Sequence, residues 1–361
     1  MSPGSLAAIA ALHVWFQTQG LPPPDRDPRL DDAAAIAADR ASEGAAAEAD
    51  LRFALRRAGV LDADIVSLQL NVGGDGIGPA LDRMRHRVRS ATHWGIGGRI
   101  PTVLLARRLV HFEMPPPLQA LGDELELRGA LVDGAKVAGA KVAGAKSLTA
   151  LYQTPKGEIR EAPVHLSTTS AGFVCRIPLR SGPGRYRVEF LVEGPTVAAL
   201  FSVWSEMEAP SVPEVAVTPR FTSLTVSLDQ ARSLAGAPRL RRLDALDAVA
   251  LSHSADMALR GYFSHRSLDG RSPLERVAQA GVGARRVLEN IASAHSPAAA
   301  HAQVLESPGH LRNLLDATVN AFGIGVYEHQ GVHYVTWLFA EVRTSSATGR
   351  ARMTGRGSPT P

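Results

Sequence analysis

His265, Glu289 and His310 stand at three points in the last third of the chain where their neighbours are apolar or turn-forming. Two imidazoles and a carboxylate make a set that could hold zinc or another divalent ion and leave one coordination position for water. The same residues could also work without metal, as a hydrogen-bonded network or with Glu289 as a general base. Ser264 beside His265, and Ser307 three residues before His310, raise a serine nucleophile as a further option. Neighbours in sequence rarely meet the geometry that a triad requires.

Local sequence explains where each of the three falls. LDALDAVALSHSADMALR reads as a helix with Leu246, Val249, Ala250 and Met257 on its apolar face, and Gly261 ends it in a left-handed cap. His265 then lies on an accessible turn. Glu289 and Asn290 interrupt the apolar run from Val287 to Ala292, and a carboxylate in such a run needs partners or water. Ser307 is a good N-cap and Pro308 fits the first helical position, so His310 falls in the first turn. There the helix dipole favours the neutral imidazole by roughly 0.3 to 1 kcal/mol. His253, one turn before Met257, faces either the same cleft or the core, the core being the more ordinary place. His295 and His301, in an Ala-rich segment, read as solvent-facing and receive no role.

FSHRSLDG, ENIA and SPGHLRN, in that order and ahead of a Gly-Ile-Gly strand, resemble the motifs of bacterial CAP-superfamily (SCP) domains. This is the fold shared by cysteine-rich secretory proteins, antigen 5 and plant pathogenesis-related proteins. The resemblance implies an α-β-α sandwich whose central cleft is lined by two histidines and two acidic residues and binds divalent metal such as zinc in some members. Residue by residue, His265 matches the first cleft histidine, Glu289 the first acidic residue and His310 the histidine of the bacterial motif. The second acidic residue has no match beyond the neighbouring Glu306. The implied binding cleft comprises His265, Glu289, His310, Asn290 and His253, with His265, Glu289 and His310 as the metal set. The implied protein is extracellular or of the cell envelope and holds a small ligand, a metal, or a peptide or glycan segment. A metal-dependent hydrolase built on the same residues and a non-catalytic envelope scaffold are the alternatives.

The rest of the chain supplies further modules. Its 361 residues, 45% hydrophobic and 20% charged, suit several modest cores rather than one large enzyme. A net charge of +4, from 39 basic and 35 acidic residues, does not predict nucleic-acid binding. The single Cys175 excludes intrachain disulfides and multi-thiolate zinc sites. No run of 18 or more apolar residues suggests a membrane span, and MSPGSLAAIAALHVWF reads as a helix rather than a signal peptide.

Residues 6 to 94 carry helical periodicity, and Gly/Pro-punctuated β runs follow. The expected fold is α+β: a degenerate CAP-like domain over 1–113 without site residues, an immunoglobulin-like β-sandwich over 114–208, a linker over 209–230, the CAP domain over 231–345 and a disordered tail over 346–361. Two matched segments carry the idea of a duplicated fold: LRFALRRAGV with PLERVAQAGV, and HWGIGG with AFGIGV. The first of them, read without gaps around Gly59 and Gly281, puts Ser67 where the second copy has Glu289. GAKVAGAKVAGAKS at 134–147 reads as an expanded surface loop, with a polyanion contact as the alternative.

Overall fold

The computed structural model describes residues 2–41, 47–69, 76–98, 101–114, 116–132, 136–137, 140–141, 147–167, 171–211 and 222–342. The expected tail and most of the GAKVAGAKVAGAKS repeat lie outside them.

In the C-terminal unit, hydrophobic alternation builds a sheet covered on both faces. The strands Arg241–Arg242, Ala321–His329, Val332–Val342 and Ala284–Ala294 lie side by side in that order. Because side chains alternate along a strand, Val335, Trp337 and Phe339 face one way. They pack with Leu224, Leu228, Ala300, Val304, Leu311 and Leu314 from the helices Leu224–Leu234, Pro297–Glu306 and Pro308–Leu315. Leu338 and Ala340 face the other way, against Leu246, Val249 and Ala250 of the helix Asp244–Arg260 and Val277 of the helix Pro273–Gln279. The result is a three-layer α-β-α sandwich. Helix Leu224–Leu234 belongs to this core, so the unit begins inside the segment expected to be a linker.

The hairpin approaches the long helix unusually closely. A Cβ on Gly323 would come within 2.3 Å of the Leu246 backbone, and one on Gly325 within 2.0 Å of the Leu251 nitrogen. Asp247, on that helix, accepts the Ile324 amide at 2.7 Å.

The N-terminal unit repeats this plan. Its strands run Asp25–Arg26, His93–Gly97, Thr102–Arg107, Asp64–Gln69, the same order with the same parallel and antiparallel pairings. Gly95 and Gly97 abut the helix Pro28–Ala41, and Asp31 accepts the Ile96 amide at 2.8 Å. Gly95 pairs with Leu104 and Leu104 with Ser67, just as Gly323 pairs with Leu338 and Leu338 with Glu289. Ser67 therefore occupies the Glu289 position. One expectation is corrected: residues 6 to 94 are not wholly helical, because DIVSLQ, with its buried Ile65, Val66 and Leu68, pairs as a strand.

Between the two units lies a β-sandwich. A five-stranded sheet includes Leu148–Gln153, Gly184–Val192 and Thr196–Ser205, and a four-stranded sheet includes Glu124–Leu131 and Gly172–Pro178. Tyr186, Val188, Phe190 and Phe201 fill the space between the sheets with Leu127, Phe173 and Cys175. The Tyr186 hydroxyl donates to the Leu179 carbonyl at 2.7 Å. The sandwich starts earlier than expected, since Val110–Phe112 already pairs with Glu124–Leu131.

His301 was expected on the surface and is instead buried, its ring centroid 6.5 Å from that of Trp337. The Ala-rich segment is a helix whose inner face it shares with Ala300 and Val304. Burial lowers the His301 pKa from the ordinary 6.5 to about 4, so the folded protein holds it neutral. The stability tied to that neutral ring is present above 6.5 and lost as pH falls toward about 4. His301→Gln should therefore shrink the drop in melting temperature between pH 7 and pH 4.5, as read by circular dichroism. A second expectation concerns the close hairpin contact. Gly325→Ala should destabilise by about 1–3 kcal/mol or more in urea denaturation, because helix backbone rather than a movable side chain blocks the new methyl.

Candidate functional site

The strand Ala284–Ala294 is an edge strand, and its adjacent Glu289 and Asn290 point to opposite faces of the sheet. Glu289 projects into the layer of the helices Asp244–Arg260 and Pro273–Gln279, where its carboxylate is almost wholly buried. There its Oε1 accepts from His265 Nδ1 at 2.9 Å and its Oε2 from the Arg276 guanidinium at 2.5 Å. His253 Nε2 lies 3.9 Å from the same Oε1 and donates to the Ser264 carbonyl at 3.0 Å. Burial alone would raise the Glu289 pKa. The His265 hydrogen bond and the charges of His265, Arg276 and His253 outweigh it and hold the carboxyl below the usual range.

Arg276 is the pivot of this cluster. Besides Glu289 it donates to the carbonyls of His265 at 2.8 Å and Arg271 at 3.1 Å, so it ties the FSHRSLDG turn to the strand. Its helix is fixed by a capping box in which Ser272 and Glu275 satisfy each other's backbone amides. Sequence reading did not single out Arg276. The available signal was the buried carboxylate itself, which demands a partner, and an arginine one turn into a well-capped helix was a candidate.

An ionised Glu289 only accepts, so the His265 proton sits on Nδ1. Nε2 of a neutral His265 is then left to accept from a ligand. The His265 side chain is 19% exposed, against 1% each for His253 and Glu289. The turn thus presents an imidazole that is backed by a buried carboxylate and reachable from solvent. His253 shares this layer, buried beside Glu289, which joins its two expected locations in one.

Asn290 and the helix Pro308–Leu315 lie in the other layer. Asn290 Nδ2 donates to the His310 carbonyl at 2.9 Å, and Asn313 donates to Asn290 Oδ1 at 3.0 Å and to the Glu289 carbonyl at 3.3 Å. Asn290 is fully buried and locks this helix against the edge strand. Ser307 caps the helix as expected, accepting the His310 amide at 3.1 Å. Burial, followed by the His265 charge, lowers the His310 pKa to about 4 and keeps its ring neutral.

Glu289 is not free to hold a divalent metal in this arrangement. Both Glu289 oxygens are engaged, one by a fixed cation, and Glu289 and Asn290 leave the strand in opposite directions. Among the described residues no three His, Cys, Asp or Glu side chains gather to hold an ion. Of the expected set, His265 and Glu289 meet in a His265–Glu289–Arg276 chain, and His310, on a helix of the neighbouring layer, is near enough for the His265 charge to act on its ring. Glu306, the neighbour of the motif, turns away to pair with Arg185 and Arg187 of the sandwich.

Residues 227–340 match the Cysteine-rich secretory protein (CAP) family. The C-terminal unit is a CAP-superfamily domain, and the match spans that unit rather than the whole chain. Similar solved structures include an outer surface protein of Borrelia burgdorferi, 19% identical, covering 33% of this chain and 90% of that one at a TM-score of 0.32. An extracellular SCP-domain protein of Bacillus anthracis is 21% identical over 62% of this chain and 68% of that one, at 0.31. The filamin domain of Lin-41 is 15% identical, covering 27% of this chain and 92% of that one, at 0.21. No curated protein matches the sequence.

Removing Arg276 would leave the Glu289 charge buried without its principal cation. Arg276→Ala should cost about 3–5 kcal/mol in chemical denaturation. The exposed Arg285→Ala should fall within about 0.5 kcal/mol of the parent.

Proposed function

We propose that the C-terminal CAP domain binds a small ligand or an extended peptide or glycan segment at the turn carrying His265, and that it does so without chemistry of its own. The supporting observation is the His265–Glu289–Arg276 chain. It fixes the imidazole's tautomer and orientation and leaves its accessible edge as a preorganised polar contact. Preorganisation of this kind lowers the cost of binding. The hydrolase alternative asks Glu289 to serve as general base or metal ligand, and the salt bridge to Arg276 at 2.5 Å stands against it.

The N-terminal unit, on this proposal, is a degenerate CAP copy and the sandwich an immunoglobulin-like spacer. The shared strand order and register support the first reading, and Ser67 in the Glu289 position gives that copy no matching carboxylate. A fold without its site residues carries no inherited activity, which leaves scaffolding or partner contact. The extracellular or envelope setting is proposed from the family. Recovery of the mature protein only in the cytosolic fraction would count against it.

Calorimetric titration of the full-length protein with peptide and glycan fragments of a bacterial cell wall tests the binding role. Saturable binding is expected, weakened about tenfold by His265→Ala, a loss of roughly 1.4 kcal/mol that suits one polar contact. Absence of binding, or binding indifferent to His265→Ala in a folded protein, overturns the proposal.

A further inference from the structure

The SPGH turn is met by a side chain from another domain. Glu189, on the sandwich strand Gly184–Val192, is fully buried and leaves that strand on the face opposite Val188 and Phe190. Its Oε1 accepts from the Ser307 hydroxyl at 2.6 Å and its Oε2 from the Gly309 amide at 2.5 Å. The same Ser307 oxygen accepts the His310 amide. A carboxylate at this end of a helix satisfies orphan amides and complements the dipole. Around it the charges are reciprocal. Glu306, the residue before the cap, is held by Arg185 at 2.7 Å and Arg187 at 3.1 Å on the strand that bears Glu189.

The fit also explains a glycine that the motif alone does not. A Cβ on Gly309 would lie 2.7 Å from Glu189 Oε2 and 3.5 Å from Leu151 Cδ1, both of the sandwich. Gly309 is therefore matched to the neighbouring domain.

We propose that Glu189 is a positioning residue through which the sandwich sets the helix that carries His310 and that, through Asn290, is locked to the strand of Glu289. The docked sandwich is on this view part of the CAP site's framework. The claim concerns the helix and stands whether or not the cleft takes the ligand proposed above.

The test uses the full-length protein with ring-labelled histidine and NMR titration, with sandwich residues His111 and His165 as internal references. Glu189→Ala should move the His310 midpoint up from about 4 by roughly one pH unit or more toward the ordinary value, as the helix loosens and its ring gains water. His111 and His165 should not move. Glu189→Gln keeps one acceptor and should give a smaller shift. Gly309→Ala should reproduce the Glu189→Ala shift, and the double variant should be no worse than either single one, because both break one contact. A His310 midpoint unchanged in Glu189→Ala, with both domains melting normally, overturns the proposal. So do strictly additive effects of Glu189→Ala and Gly309→Ala. If Glu189→Ala does not fold, the near-isosteric Glu189→Gln decides: an unchanged His310 midpoint there overturns it equally.

Discussion

A buried negative charge is the constraint around which the C-terminal domain is organised. Glu289 sits where water cannot reach it, and an unpaired carboxylate there would cost several kcal/mol. Arg276 and His265 remove that penalty, and each brings its own element with it: the short capped helix and the turn after Gly261. The carboxylate thus recruits the surroundings that make His265 both oriented and reachable. Function on this reading is a by-product of solving an electrostatic problem at a sheet edge.

The second organising contact is steric. Hairpin backbone and long helix touch because the positions between them carry no side chain, at Gly323 and Gly325 in one unit and Gly95 and Gly97 in the other. An aspartate on each helix accepts the amide of the isoleucine between those glycines. Two units with little sequence in common thus share one close-packed joint. The joint is the same in both units while the residue at the equivalent strand position differs, Ser67 in one and Glu289 in the other, since packing tolerates a change there but not at the glycines.

Much of this was legible in the chain. The Gly-Ile-Gly pairs, the Gly261 cap, and the Ser307-Pro308 start of the last helix are local signals, and local backbone preference decided them. The placing of Ser67 at the Glu289 position followed from the match around Gly59 and Gly281. What stayed hidden depends on residues far apart in sequence. Glu189 lies more than a hundred residues before the turn it caps, Arg276 is one arginine among many, and His301 sits in an Ala-rich helix whose inner face only the Trp337 core defines. Nor does a one-dimensional reading show that both oxygens of Glu289 are taken, one by His265 and one by Arg276.

That edge strand carries an implication for how such a domain can change over evolutionary time. Glu289 and Asn290 are adjacent and serve opposite layers, one neutralised by an arginine, the other bonded to the backbone beneath His310. A one-residue slip of this strand against its neighbour would turn Glu289 toward the layer of His310 and away from Arg276, leaving a charge beneath a carbonyl. Length variation in this lineage should therefore collect in the loops flanking the strand, while the dipeptide itself behaves as a single inherited character.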